Sequence, residues 1–436
     1  MECLPTATES EEFAMKEYLY SEKEVREMWK RTKTEQVQIA QAKCIEAIVR
    51  TDGKIAVTFS GGKDSAVVLF LMAEMWSISK HKEEPLKVFF ANTTNEFVCA
   101  AKYRKDYIAW IEKRFDIKIE YKEVSADDNY FNVVDTIGLP FISKKVSRMV
   151  RDCKATLKRL GLKYSDIEPY MPRHYTVKNI DEMIQSADKL RELGFNDTAI
   201  LNLTKIRSDN HIGLRFLPVK YRPLLDNEEI ELSEQCCTVL KKEPLKKIEK
   251  EMGGLLAVTG EMAEDSRDRM EAYRQTGCNM FDGASRKSKP IGPMTEQTVL
   301  WLIYTEKIPI MPAYGICERC GLEGISETYE LTGEQRTGCK LCGFGIMYDL
   351  DRFVRLAKLE PQVAKFAFTS KKNGGLGYRE VCTFLNEKCG MNIGIPNVEE
   401  GYYSKRALKY AEKKRGDKEI KERIREKIKM TGEGES

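Results

Sequence analysis

With 436 residues and 42% hydrophobic side chains, the chain exceeds the usual size of one compact domain and can bury a substantial core, so two domains, or one with large additions, are expected. Lys and Arg number 72 against 68 Asp and Glu, and a net charge of +4 is too small by itself to mark a nucleic-acid binder. The sequence has no apolar run of about 18 residues, so no helical membrane span is expected. The start MECLPTATESEEFAM lacks the charged-then-apolar order of a secretory signal, so a cytoplasmic location with no membrane partner is expected.

Residues 22–50 pair Val25 with Trp29 and set Val37, Ala40, Cys44 and Ile48 on one face, which predicts one or two helices. KIAVTF at 54–59 follows Asp52-Gly53 and reads as a buried strand, SAVVLFLMAEMW opens a helix, and LKVFFANT at 86–93 is the next strand. Strand, loop, helix, strand begins a parallel α/β sheet. Helical pattern returns at 97–114, a strand at 117–124 and a helix near 144–160. The charged stretch 165–205, with helical pattern at 178–193, reads as an inserted lobe, and 255–260 ends a further buried strand. Beyond 312 the chain turns rich in Cys and Gly. The expected division is N-terminal helices to residue 50, an α/β domain over 51–311 with the insertion, a Cys-rich region over 312–400 and a charged tail over 401–436. That tail carries twelve Lys/Arg against seven Asp/Glu. Its helical stretch 405–430 has only Leu408, Ile420, Ile424 and Ile428 as a narrow apolar stripe, which reads as a solvated helix or frayed end.

SGGKDS, residues 60–65, stands between the first strand and its helix. Neither GxxxxGK[ST] nor GxGxxG is present. Gly61 and Gly62 permit a tight turn with N–H groups close to phosphate oxygens, Ser60 and Ser65 add hydroxyls, Lys63 adds a positive charge, and the following helix adds its dipole. A pair of glycines alone would be an ordinary turn. The hexapeptide resembles the PP-loop of the ATP-pyrophosphatase superfamily, which includes tRNA-thiolation enzymes, GMP synthetase-like enzymes and the adenylyl-sulfate (APS) and phosphoadenylyl-sulfate (PAPS) reductases. NTTNEF at 92–97 stands where those reductases carry a DTGxEF-like segment, with Asn92 in place of the acid. GLPFISKKVSRM, CCTVLKKEPLKKIEKE, TGEMAEDSRDRMEAY, SKPIGPMTEQTVLWLI and TGEQRTGCKLCGFG look like the PAPS-reductase family, closest to members common in phages and mobile elements.

The resemblance covers roughly residues 50–395 and implies a parallel-sheet, adenine nucleotide alpha-hydrolase-like fold with helical additions and a Cys-rich C-terminal region. It implies nucleotide binding by Ser60, Gly61, Gly62, Lys63, Asp64, Ser65, Asn92, Thr93, Gly260, Glu261, Glu264 and Ser266. Catalytic work falls to Lys63, Asp64 and Arg269, with Arg269 near a phosphate or sulfate. The ligand is ATP, with magnesium as companion, or APS/PAPS. For Glu261, Glu264 and Arg269 the plain alternative is helix-surface charge. Lys144, Lys145 and Arg148 form a basic cluster that faces an anion or water, and His81, His174 and His211 belong to no motif.

Thirteen cysteines in a reducing compartment point to ligation rather than disulfides. Cys236-Cys237 followed by KKEPL, with the distant pair Cys339 and Cys342, resembles the [4Fe–4S] ligand set of APS reductases, and four thiolates suit such a cluster. Cys317 and Cys320 with Cys339 and Cys342 also have the spacing C-x2-C-x18-C-x2-C of a structural zinc site. Both readings stay open at this stage. Cys3, Cys44, Cys99, Cys153, Cys278 and Cys382 read as buried small apolar residues.

Three functions follow. Sulfonucleotide reduction needs a nucleophilic cysteine, and the nearest candidate is Cys389. ATP-dependent adenylation with sulfur transfer needs an acceptor, for which the basic tail suits a nucleic acid, and a sulfur- or electron-donor protein. The third is a catalytically silent nucleotide-binding component of a mobile-element or defence complex.

Overall fold

A computed structural model describes residues 18–214, 216–251, 253–283, 286–322, 326–399 and 417–432. The chain is a mixed α/β protein that divides into two compact units, each assembled from separated stretches. One comprises Met1–Phe90, Cys99–Val124 and Lys247–Thr337; the other comprises Ala91–Val98, Ser125–Lys246 and Gly338–Ser436. No described helix is long and apolar enough to cross a membrane.

The first unit is organised by a six-stranded, mainly parallel sheet. Its strands are β1 (Ile55–Thr58), β2 (Leu86–Asn92), β3 (Ile119–Ser125), β5 (Leu256–Val258), β6 (Asn279–Met280) and β7 (Lys287–Ser288), in the order β3-β2-β1-β5-β7-β6. β1 pairs in parallel with β2 and β5, β5 with β7 likewise, and only β6 is antiparallel to its neighbour β7. β1 is apolar up to its last residue, Thr58, as suits a strand whose sheet is covered by helices on both faces. Residues 55–57 are accordingly buried. Helix α3 (Lys63–Ser77) is hydrophobic nearly all round, as a core helix must be. It packs on α2 (Lys33–Arg50), α4 (Ala100–Phe115) and α12 (Glu296–Glu306).

Val37, Ala40, Cys44 and Ile48 form the buried stripe of α2, as the periodicity predicts, and Val25 is buried on α1 (Glu22–Trp29). Both helices start in capping boxes, Ser21 with Glu24 and Thr32 with Glu35. Buried Gln36 is fully engaged: its amide donates to the carbonyls of Trp29 and Arg31, and its oxygen accepts from Thr295 N–H and the Thr298 hydroxyl at the start of α12. α10 (Glu243–Glu251) leads into β5, and α11 (Arg267–Thr276) follows it. The hairpin of β8 (Cys317–Cys320) and β9 (Thr328–Leu331) packs on α12.

The second unit is largely helical, with α5 (Tyr130–Ile137), α6 (Lys144–Leu160), α7 (Tyr164–Ile167), α8 (Ile180–Glu192), α9 (Asp197–Thr204), α13 (Arg352–Leu359), α14 (Pro361–Phe368), α15 (Tyr378–Cys389) and α16 (Lys418–Gly432). The expected lobe at 165–205 contains α8 and α9, and α9 packs on both α6 and α8. The unit's one described pair of parallel strands is β4 (Phe141–Ile142) with β10 (Gly343–Phe344).

The solvated or frayed reading of the tail fails over 417–432. α16 lies on α5 and on residues 238–242, Ile424 is completely buried, Arg423 pairs with buried Asp128 at 2.5 Å, and Lys427 pairs with Asp127 at 2.6 Å. One fully enclosed isoleucine flanked by charge pairs anchors a helix whose apolar stripe is too narrow to do so alone. Leu408 lies outside the described residues. Asp128→Ala should therefore expose α16 to trypsin several-fold more readily. Asp127→Ala, at an exposed partner where an ion pair contributes little, should leave the cleavage rate near that of the native chain.

Candidate functional site

Between β1 and α3 the chain turns through Ser60, Gly61 and Gly62. Gly61 has φ +82°, a left-handed conformation that glycine adopts without strain. Gly62 is the N-cap and supplies no side chain to close the helix start. Instead, Lys63 N–H donates to Tyr314 Oη at 2.9 Å, and the same oxygen accepts from the Thr337 hydroxyl at 2.8 Å. The amides of Asp64 and Ser65 have no acceptor among the described residues. Gly260, at the end of β5, is packed against this backbone: a Cβ there would lie 3.0 Å from Ser65 N and 3.0 Å from the Asp64 carbonyl carbon. The two serines serve the loop itself. Ser65 Oγ donates to Gly62 O at 2.8 Å, Ser60 Oγ accepts from Gly62 N–H at 3.2 Å, and the hydroxyls meet at 3.1 Å. Both serines thus help to shape the loop.

Lys63 is only 4% exposed, with Nζ 3.1 Å from Asp64 Oδ1 and 3.2 Å from Glu296 Oε1. Burial opposes its charge, yet Asp64, Tyr314 and Glu296 outweigh burial and hold its pKa above the ordinary lysine value. Asp64 Oδ1 is sealed from solvent and makes no hydrogen bond, so Lys63 meets it as an ion pair only. Burial pushes the Asp64 carboxyl upward, Lys63 pulls the other way, and Asp265 adds to the rise. Burial also raises Glu264, whose Oε2 accepts Glu296 N–H at 2.5 Å and so closes the start of α12.

The remaining charged candidates all have partners. Arg269 is paired with Asp265, Glu261 with Lys287 at 3.1 Å, and Ser266 is the N-cap of α11. Asp265, Glu296 and Tyr314 were not singled out by the sequence pattern, because each reaches the loop from a distant segment. Tyr314→Phe should leave two buried donors unsatisfied and lower stability by about 1–3 kcal/mol, read as a shift in the urea midpoint.

The second unit gathers the four cysteines of the CC and later CxxC motifs. Cys236, Cys237, Cys339 and Cys342 line one cavity with Thr93, Tyr130, Pro140, Leu240 and Lys241, and the space between them is about 10 Å³, room for about one water. Cys236 donates to Cys237, and this bond, with the Lys144 and Lys241 ammonium groups, holds the Cys237 thiol below its ordinary range despite burial. Cys339 first, then Cys237 and Cys342, raise the pKa of half-buried Lys241 above the ordinary lysine value. Lys144, one member of the expected basic cluster, therefore faces Cys237. It opens α6 directly after Ser143, the N-cap, and Ile142, whose φ of +68° is rare for a β-branched residue. Arg148 instead lies 3.8 Å from Asp152.

The NTTNEF segment belongs to this cavity in the structure. Thr93 is fully buried, with its hydroxyl on Glu96 at 2.6 Å and 3.4 Å from Cys339 Sγ, and Asn92 Oδ1 accepts Thr94 N–H at 2.7 Å. Asn95 O accepts Lys340 N–H at 2.7 Å. Buried Tyr378 donates to Leu341 O at 2.5 Å and meets Tyr130 Oη at 2.8 Å. The loop of the later CxxC is thus held on both sides by groups far away in sequence. Among the described residues, no group of three or more His, Cys, Asp or Glu is arranged around a single metal ion. A cluster distributes its ligands, one thiolate per iron, so a shared cavity is the relevant feature for it.

Cys317 and Cys320 lie on β8 in the first unit, and burial raises the Cys317 thiol to about 11. Cys44, Cys153, Cys278 and Cys382 are buried, as expected of small apolar residues, whereas Cys99 is partly exposed. Cys389 is 3% exposed at the end of α15, and burial raises its thiol to about 11. Burial and a raised pKa both favour the unreactive thiol near neutral pH, so Cys389→Ser should leave any turnover within twofold of the native rate.

No protein-family model matches the chain, and no curated protein does. Among solved structures it is similar to the crystal structure of phosphoadenylyl-sulfate (PAPS) reductase from Candida auris in its phosphate complex. The two share 11% identity over 67% of this chain and 90% of that one, with a TM-score of 0.29. A likeness this distant assigns no activity.

Proposed function

We propose that the chain is a PP-loop enzyme that binds a magnesium-chelated ATP at Ser60–Ser65 and activates an acceptor oxygen by adenylation, coupled to sulfur transfer that depends on a cysteine-held [4Fe–4S] cluster. The observation that carries the reading is the start of α3: a buried, charged Lys63 beside two amides without acceptors, at the carboxyl edge of a parallel sheet, where ligands of open α/β folds bind. Asp64, Glu264 and Glu296 make the surroundings of Lys63 acidic, which disfavours a bare sulfonucleotide and favours a polyphosphate carrying a divalent cation. Magnesium supplies charge neutralisation on the phosphate oxygens when bound.

The chain's own work is then positional. Lys63 and the Asp64 and Ser65 amides hold phosphate oxygens, Gly61 and Gly260 allow the backbone its close approach, and Arg269 exchanges Asp265 for phosphate. The acceptor oxygen attacks the α-phosphorus, the bond from that phosphorus to the oxygen bridging the β-phosphorus breaks, and pyrophosphate leaves with the electron pair.

The four-thiol cavity, with Lys144 and Lys241 to offset negative charge, supports a cluster over a zinc ribbon, since Cys339 and Cys342 face Cys236 and Cys237. Cys236, Cys237, Cys339 and Cys342 would hold the cluster, and the space of about 10 Å³ between them means that their side chains would have to part to admit it. When bound, the cluster supplies sulfur or electron relay. The acceptor is a nucleic acid or small molecule, and a donor protein supplies sulfur or electrons. APS or PAPS reduction is the second reading, and buried Cys389 weighs against it.

An anaerobic assay of metal-quantified protein with ATP, APS and PAPS offered separately, following pyrophosphate and sulfite, decides between them. Pyrophosphate from ATP is the expected product. Sulfite from APS or PAPS would make the protein a reductase, and neither product, with ATP still bound, would leave a silent nucleotide-binding component.

A further inference from the structure

The first unit carries a second, basic pocket at the opposite end of its sheet from the glycine loop. It has a volume of about 420 Å³ and is lined by Arg50, Lys54 and Arg286, with Phe281, Gly254 and a single acid, Asp282, among its other walls. Lys54 precedes β1, Gly254 lies just ahead of β5, and Arg286 precedes β7. Because these three strands are parallel and in register, their starts form one edge. Lys54 and Ser60 are six residue steps apart along extended chain, about 20 Å at ~3.3 Å per residue, so no phosphate held by the loop reaches this pocket.

Three cations in one pocket repel one another; the Glu46 and Asp52 carboxylates act on Arg50 and Lys54 only through longer-range attraction, and Asp282 is the one acid in the pocket wall. None of Arg50, Lys54 and Arg286 forms an ion pair among the described residues. Arg50 is at the C-terminal turn of α2, where a cation suits the helix dipole. The carbonyls there are already taken, however: Ala47 O accepts from Thr51 N–H and Oγ1, Ile48 O from Gly53 N–H, and Val49 O from Asp52 N–H. The Arg50 guanidinium is stacked over the Phe281 ring at 4.0 Å, which fixes its plane without using its N–H donors. Gly254 has φ +100°, and a Cβ on it would lie 3.5 Å from Arg286 Nη2, so the bare backbone leaves room beside that guanidinium.

We infer that this pocket binds a phosphate group, using the Arg50 and Arg286 forks with Lys54 as a point charge. Planar guanidinium groups match phosphate bidentately, and the pocket has the size of a small-molecule site. The phosphate belongs either to a small phosphorylated ligand or to a nucleic-acid backbone, and the pocket provides a basic surface independent of the charged tail.

The test uses the full chain carrying Lys63→Ala, so that the glycine loop does not contribute, with and without Lys54→Glu and Arg286→Glu. Titration with inorganic pyrophosphate by calorimetry and with a labelled single-stranded 12-nucleotide DNA by anisotropy is run at low and at raised salt. The expected result is at least tenfold weaker binding of one probe in the charge-reversed protein, with affinity for that probe falling in salt. Loss confined to pyrophosphate identifies a small ligand, and loss for DNA as well identifies a backbone. Affinities within twofold of the parent for both probes, or no binding by the parent, overturn the inference. Arg286→Lys, which keeps the charge and removes the fork, should show an intermediate loss. Matching melting curves confirm that these exposed substitutions leave the fold intact.

Discussion

Replacing Lys63 by alanine should lower affinity for magnesium-ATP at least 100-fold, about 2.7 kcal/mol at 1.36 kcal/mol per tenfold, measured by calorimetry. The side chain is 4% exposed, so its charge meets a bound phosphate with little solvent screening, and charge-assisted bonds of this kind lie at the strong end. The same substitution should destabilise the fold by about 1–3 kcal/mol, less than the 3–5 of a fully buried pair broken on one side. The discount reflects Asp64 and Glu296 side chains that are 26% and 50% exposed. In the variant Asp64 loses its cation while its Oδ1 stays sealed, so its carboxyl takes up a proton more readily. Asp64→Asn made together with Lys63→Ala should then recover part of the lost stability without recovering nucleotide affinity. An unchanged ATP affinity in a folded Lys63→Ala protein would remove the glycine loop from the proposal.

Alanine at any one of Cys236, Cys237, Cys339 or Cys342 should abolish stable iron and sulfide incorporation after anaerobic reconstitution, against about four iron per native chain. Serine at Cys317 or Cys320 should leave that content unchanged. The contrast rests on one cavity holding the first four and on Cys317 and Cys320 occupying a hairpin of the other unit. Iron, sulfide and zinc measured together decide the matter without an activity assay. Zinc near one per chain that is lost on changing Cys317, Cys320, Cys339 or Cys342, and retained without Cys236 and Cys237, would establish the ribbon in place of the cluster. Lys241→Ala should weaken cluster retention rather than abolish it, since it offsets thiolate charge and contributes no ligand.

The parallel α/β character was legible from KIAVTF, SGGKDS and LKVFFANT, because apolar runs, glycines and strand–helix alternation act over a few residues. The stripe of α2 was legible for the same reason. Ile424 was visible as an apolar position of the tail, but its burial was not. A stripe that narrow holds a helix down only with help, and Asp128, which pairs with Arg423 from 295 residues away, has no trace in the tail's own pattern.

What the sequence by itself determined is the local chemistry: a glycine turn before a core helix, a lysine at that helix's first position, and three close-set cysteine pairs. Only the tertiary structure decided which groups meet them. It brings Tyr314 onto Lys63 N–H from 251 residues away, gives Arg269 to Asp265, sets Thr93 beside Cys339, and collects Arg50, Lys54 and Arg286 along one edge of the sheet. Turn and helix signals come from interactions between neighbours along the chain. Partners across a fold are set by strand order and packing, which carry no short-range pattern for a reader of the sequence to find.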